Sequence, residues 1–356
     1  MNYLKHIIAE KKVIYQVGEL YISVEPTFDD SIVNLLKKTT YGTKGPKYQH
    51  TGQAIKLQNI KNPFFFKLQK AGETIGFYCL CEREIWVGTE NYLGYYGRYL
   101  AVDEKHQGNY YGKLLKSVAV EYVEKNSISP SILYSYIEEN NTRSLSISQK
   151  SGFSSIATLE TIIFSRLYPQ ADNRVVRINS EELSFVLEKL ELQHSQTILR
   201  TFENINYQNN YFVIKQNGRI VAGLQANPVR WKIMDMEGVG GKVMLKVLPH
   251  IPILKRLINP EKYNFLAIEG IFMTPYSESF LYDLIEGVLH YFSMSSALFQ
   301  LDSQSPYLKL FKKKKKLGLL NAIKKDVKTQ VMIKSINLNK SAIQRGEAYV
   351  SSFDFT

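Results

Sequence analysis

Between Leu100 and Leu115 an apolar segment ends at Val102, crosses the short polar loop Asp103-Glu104-Lys105-His106-Gln107-Gly108-Asn109, and enters a helix near Tyr110 with Gly112 in its first turn. A strand that turns into a helix across so few residues aims several backbone N–H groups at one place, at the positive end of the helix dipole. Such a nest suits a pyrophosphate, and Lys113 stands where it could add charge.

The remainder of the chain sets limits on what surrounds this motif. With 356 residues, of which 44% are hydrophobic, the sequence is too long for one ordinary core, and two domains of about 150 residues or more are expected. No apolar run approaches the roughly 18 residues of a membrane-spanning helix. The N-terminus carries Lys5, Glu10, Lys11 and Lys12 around a short apolar patch and does not read as a signal peptide. The expected compartment is the cytoplasm, with no membrane partner. Cys79 and Cys81 share one face of a strand, a placement that suits core packing better than a disulfide or half a metal site. The six histidines, His6, His50, His106, His194, His250 and His290, lack ligand spacing, so no metal is expected.

The net charge of +12 is uneven. Residues 1–168 hold 20 basic against 16 acidic residues (+4), and the rest hold 25 against 17 (+8), five of the 25 in the run Lys312–Lys316. That run reads as the solvated end of a helix, with an anionic partner as the alternative. No nucleic-acid partner is expected.

Periodicity gives the element order. A strand over Tyr21–Glu25 precedes a helix over Ile32–Lys38 whose start carries Asp29 and Asp30; Tyr41–Gln58 reads as loop plus a second helix. Three aromatic-rich strands follow at Phe64–Gln69, Ile75–Glu82 and Leu93–Val102, the last with Gly94 and Gly97 hinting at a bulge. A helix over Asn109–Lys125, a strand over Ser131–Ile137, a helix over Thr142–Lys150 stopped by Gly152, and a final hairpin over Phe153–Leu167 complete the first half.

The polar stretch Tyr168–Asn173 marks a boundary, giving expected domains of 1–168 and 169–356. The order then restarts: a strand over Val175–Ile178, a helix over Glu181–Leu192 capped by Ser180, and a hairpin of Tyr211–Lys215 with Ile220–Ala226 around Asn217-Gly218. Phe64–Phe77 and Tyr211–Leu224 match in kind, each reaching Gly76 or Gly223, and Phe265–Phe272, Phe280–Phe292, Ala297–Leu301 and Tyr307–Lys316 continue the correspondence. A divergent tandem repeat is expected. Gly238-Val239-Gly240-Gly241 through Pro260 has no counterpart and lacks the Gly-Lys-Ser/Thr ending of a P-loop, so it reads as an insertion.

The Gln107–Gly112 stretch resembles the acetyl-CoA loop of the GNAT superfamily of N-acetyltransferases, Gln/Arg-x-x-Gly-x-Gly/Ala, with Tyr110 where the pattern has its first glycine. Downstream, Asn141-Thr142-Arg143-Ser144 and Gly152-Phe153 resemble that family's Asn-x-x-Ala/Ser helix ending in Gly-Phe. The resemblance covers residues 20–168. Taken with the internal repeat, it implies an α/β (α+β) architecture of two GNAT-like domains, each a mixed, mostly antiparallel twisted sheet flanked by helices, the second degenerate.

By the same resemblance the donor is acetyl-CoA or another acyl-CoA. It would be held by Leu100, Ala101, Val102, Gln107, Gly108, Asn109, Tyr110, Tyr111, Gly112, Lys113, Asn141 and Ser144. The strand ending at Val102 and the strand Ser131–Ile137 would splay apart around pantetheine, and backbone N–H groups near Leu100 and Val102 would polarise the thioester carbonyl. The catalytic pair is less legible. Relatives' acidic tyrosine falls at Ser148, and the position of some relatives' glutamate base falls at Tyr96. Glu84, Tyr96 and Tyr134 are the candidate catalytic residues, with Tyr136 beside them, although a tyrosine with a pKa near 10 is a poor base. The second half has Met273-Thr274-Pro275-Tyr276-Ser277-Glu278-Ser279 in place of the loop and is expected to bind no CoA.

The expected activity is transfer of acetyl to a primary amine of a small molecule or peptide by a monomer or homodimer. A non-catalytic binding protein of this fold and a tandem transferase drawing on charged tRNA are the competing readings.

Overall fold

The computed structural model describes residues 10–43, 45–314, 316–324, 326–339, 343 and 345–355. The readings on Lys5, His6 and Lys315 fall outside them. The first half runs β1 (Lys12–Val17), β2 (Leu20–Glu25), α1 (Asp30–Lys38), β3 (Pro46–His50), α2 (Gln53–Gln58), β4 (Pro63–Lys70), β5 (Glu73–Val87), β6 (Glu90–Val102), α3 (Tyr111–Asn126), β7 (Ser131–Glu138), α4 (Thr142–Lys150) and β8 (Ser154–Ser165). The second half runs β9 (Val175–Arg177), α5 (Ser180–Gln193), β10 (Tyr211–Gln216), β11 (Arg219–Met236), α6 (Gly238–Lys246), β12 (Tyr263–Met273), α7 (Glu278–Tyr291), β13 (Ser296–Asp302), α8 (Pro306–Lys314), α9 (Leu319–Ile323), β14 (Lys328–Ile336) and α10 (Ser352–Phe355).

Among the described residues the strands form one sheet in the order β1-β2-β4-β5-β6-β7-β14-β8-β13-β12-β11-β10-β9, with β3 paired to the far end of β11. Only the β6–β7 and β12–β13 neighbours are parallel. The fold class is therefore a mixed, mostly antiparallel α/β sheet flanked by helices, as expected.

Helix α1 starts where the acidic pair directs it: the Asp29 side chain accepts from the Ser31 and Ile32 amides and also binds Lys67. The aromatic run in β4 is buried on both faces. Phe64 and Phe66 pack under α3 with Leu115, Ala119 and Val123, whereas Phe65 packs under α1 with Ile32 and Leu36. Each such side chain contributes about 1.5–3 kcal/mol by leaving water.

Several expectations need correction. Phe153–Leu167 is not a hairpin: β8 is one strand, and its antiparallel partners, β13 and β14, come from far along the chain. The second hairpin arm inferred from local alternation is supplied instead by β14, which lies between β7 and β8. Asn179, not Ser180, caps α5, and its reciprocal bond with Glu182 makes a full capping box. Strands β1, β3 and β14 were not read from the sequence. The bulge in β6 falls at Tyr99 rather than at Gly94 or Gly97. Gly97 is needed for another reason, because a Cβ there would collide with the hydroxyl of Tyr78.

Candidate active site

Strands β6 and β7 pair from Leu93–Ser131 to Tyr96–Tyr134 and then stop, although β6 continues to Val102 and β7 to Glu138. On its other side, β6 pairs Arg98 with Cys79 and Ala101 with Phe77, so Tyr99 and Leu100 together oppose the single residue Tyr78. Tyr99 takes the left-handed conformation, φ 58°. The bulge and the splay therefore coincide, and they free backbone polar groups where the sheet opens. Leu100, Arg98, Tyr136, Asn141 and Ser144 line the cavity that begins there, whose volume is about 540 Å³.

The loop leading into α3 has the form the sequence suggests. Gln107 folds back so that its Nε2 donates to the Val102 carbonyl at 3.1 Å, and Asn109 donates to the His106 carbonyl. Gly108 has φ 89°, and Tyr110 adopts φ 59°, the left-handed conformation that a glycine takes without strain. Its side chain is 78% exposed, so the ring points away from the loop. No side chain caps α3 and no acidic residue occupies its first turn, while Lys113 is exposed there. These features fit a pyrophosphate. Tyr111 is half-buried, Gly112 and Ala101 are buried, and Val102 borders Gly112. The Asn141 carboxamide oxygen accepts from the Ser144 amide at 3.1 Å, capping α4 at the cavity wall.

Of the catalytic candidates, Tyr96 and Tyr136 line the cavity; Tyr134 is packed against both rings but does not line it. The Tyr134 hydroxyl is buried. Glu84 is exposed and lies outside the cavity wall. Burial pushes the Tyr96, Tyr134 and Tyr136 hydroxyls well above their ordinary pKa, so they stay protonated.

The structure adds groups that sequence reasoning missed. Asp354, in α10, lines the cavity, and its Oδ1 accepts from the Arg83 guanidinium at 2.6 Å. Tyr96 donates to the Asp354 main-chain carbonyl. Burial raises the Asp354 carboxyl above its usual range, opposed by the charge of Arg83. His50, from β3, is held neutral by burial and by the nearby charges of Lys56 and Arg98. With Tyr41, Tyr48, Tyr99 and Trp231 it forms an aromatic wall in which Tyr48 stacks on Trp231 at 3.8 Å. Beyond that wall the cavity reaches Ile163 on β8 and, from the second half, Ile233, Ile258, Tyr263, Leu298 and Leu320. No local signal marked Arg83 and Asp354, which are 271 residues apart.

Residues 30–153 match the model of the Acetyltransferase (GNAT) family. The match falls on β4 to β7 and the helices around them, the part that carries the splayed strands and the loop into α3. No curated protein matches the sequence. Among solved structures, the chain is similar to Saccharomyces cerevisiae N-myristoyltransferase with bound myristoyl-CoA, at 11% identity and TM-score 0.60, over 96% of this chain and 91% of that one. A second yeast N-myristoyltransferase structure, with myristoyl-CoA and inhibitors, gives TM-score 0.61 at 11% identity, over 95% and 87%. The GCN5-related glucosamine N-acetyltransferase region of a fungal multi-domain GH3 β-N-acetylglucosaminidase gives TM-score 0.55 at 12% identity, over 88% of this chain and 38% of that one. At these identities the likeness is one of fold, and it extends over almost the whole chain.

No described helix is long and apolar enough to cross a membrane. Among the described residues no group of three or more His, Cys, Asp or Glu could hold a metal ion.

Proposed function

We propose that this protein is an acyl-CoA-dependent N-acyltransferase that moves an acetyl group from acetyl-CoA to a primary amine. The observation that carries this reading is the coincidence, at Tyr96–Leu100, of a parallel pair that splays and a bulge that turns backbone into the opening. Bound acyl-CoA would supply an activated thioester. Gly108 to Lys113 and the first turn of α3 would hold its pyrophosphate, and Leu100, Ala101, Val102, Asn141 and Ser144 would flank the pantetheine arm. The unpaired backbone of the bulge would polarise the carbonyl.

The amine must lose a proton as it attacks. Asp354 is our assignment for the acceptor of that proton: it is a carboxylate in the cavity wall whose basicity burial raises. Tyr96, tied to the Asp354 carbonyl, would fix the position of α10 rather than act as base.

The second half (169–356) we read as a degenerate copy that shapes the acceptor side of the cavity. Its β12–β13 pair also stops early, at Ala267–Leu298, but the backbone beyond is already engaged: the Ile271 carbonyl accepts from Tyr307 at 3.1 Å and lies 3.1 Å from the His194 ring nitrogen.

Titration with acetyl-CoA, followed by turnover assays across a panel of small and peptide amines, tests the proposal. Failure to bind would sink it. Binding with neither amine acetylation nor thioester hydrolysis would favour a non-catalytic protein of this fold.

A further inference from the structure

Helix α3 carries an ammonium group that the reading above does not use. Lys116 is 3% exposed, and its Nζ donates to the Oγ of Ser148 on α4 at 2.5 Å. Both side chains line the cavity, together with Ser144 on the same helix α4, Asn141 at its N-cap and Leu100 on the splayed strand. The Nζ also lies 4.4 Å from the centre of the Phe153 ring. Among the described residues no carboxylate pairs with it. A buried, unpaired ammonium is costly, and burial alone pushes Lys116 down to about 7. The titratable or charged groups of neighbouring strands that share the cavity wall are Tyr78 on β5, Tyr96, Arg98 and Tyr99 on β6, and Tyr136 and Glu138 on β7.

We propose that Lys116 is the acid that protonates the departing CoA thiolate, with Ser148 as the positioning residue that holds its ammonium at the crevice. This rests on the acyl-transfer reading. As the amine nitrogen bonds to the thioester carbon, the C–S bond breaks and its electron pair stays on sulfur. A proton passes from Lys116 Nζ to that sulfur, giving free thiol and a neutral lysine, which takes a proton back from solvent. The amine's own proton leaves to the Asp354 carboxylate, which lines the same cavity. A lysine that titrates near neutrality can give up a proton on each turnover; an arginine at the same place keeps its charge but cannot.

The test uses the full chain, with lysine ε-carbons labelled for NMR and Lys116→Met to assign the resonance. Lys116 should titrate near 7 in the free protein. CoA should shift that titration by about half a unit or more, because thiol and lysine exchange one proton, whereas desulfo-CoA should not. Lys116→Met and Lys116→Arg should keep the affinity for desulfo-CoA within about three-fold and lose on the order of 100-fold or more in kcat. They should also lose the alkaline fall of kcat near 7. An equal response of Lys116 to CoA and desulfo-CoA, or kcat in both variants within two-fold of native, would overturn the assignment while leaving acyl transfer intact. Failure of the native protein to bind either ligand would remove the CoA reading and this inference with it.

Discussion

Tyr99 and Gly270 occupy corresponding points of two β-bulges, with φ 58° and 56°. In β5–β6 the ladder slips between Phe77–Ala101 and Cys79–Arg98; in β11–β12 it slips between Gly223–Phe272 and Gln225–Glu269. The parallel partner then stops pairing at Tyr96–Tyr134 in one half and Ala267–Leu298 in the other. The register also corrects the sequence correspondence by one residue: Gly76 matches Ala222, and Phe77 matches Gly223.

The two bulges should respond differently to substitution. A Cβ at Gly270 would meet Ile205 Cδ1 at 2.6 Å in a conformation that already disfavours side chains. Gly270→Ala is therefore expected to destabilise the protein by about 2 kcal/mol, read as a lower denaturant midpoint at unchanged m. Tyr99→Phe, which keeps backbone and ring, should lose only the bond from Arg98, about 1 kcal/mol. Equal losses would show that the glycine is not held by its backbone conformation.

At the loop, Tyr110→Gly should relieve the left-handed strain at little cost in packing, since the ring is mostly exposed. Strain of about 1–2 kcal/mol is partly offset by the greater freedom of an unfolded glycine. A net gain of about 0.5 kcal/mol by denaturation is expected, with CoA affinity within about three-fold by calorimetry. A marked loss of affinity would mean that the tyrosine ring itself touches the nucleotide.

How much of this was legible beforehand follows from how local each feature is. The strand–loop–helix motif at Leu100–Leu115 is encoded by contiguous residues, and its geometry was read correctly down to the outward Tyr110. The splay was inferred only through family resemblance. The bulge was misplaced because glycine is the usual sign of a left-handed residue, and here Gly97 serves to clear Tyr78 while Tyr99 carries the positive φ. Strand β14 could not be paired from sequence: its neighbours Tyr134 and Ala157 lie nearly two hundred residues upstream of Ile333 and Val331. Asp354 was missed for the same reason, since its role depends on Arg83.

The Arg83–Asp354 ion pair ties the chain's last helix to β5. Both side chains are almost fully buried, at 3% and 2% exposure. Arg83→Met would leave the carboxylate buried without its strongest partner, a change that costs about 3–5 kcal/mol. Double substitution with Asp354→Leu should recover much of that stability but not the activity, because the proposed base is gone. Recovery of turnover along with stability would remove Asp354 from the mechanism.

Glu269 should give stability a pH dependence of definite sign. Its position matches Arg98, and burial raises its carboxyl from 4.5 to about 7 despite the hydrogen bond from Ser352 at 2.6 Å. Between those values the folded protein holds a proton that the unfolded chain has released, so this group's contribution falls as pH rises from about 4.5 to 7 and is level above. Glu269→Gln keeps an acceptor for Ser352 and removes the titration. Relative to native, the variant should therefore gain on the order of 2–3 kcal/mol between pH 5 and pH 8, measured as the difference in unfolding free energy at the two pH values. His194, pushed down to about 4 by burial, slopes the opposite way below 6.5 in both proteins and cancels in that comparison. A difference that does not change with pH would show that Glu269 is ionised in the folded protein and that Gln225 and the serines of the C-terminal segment already stabilise its charge.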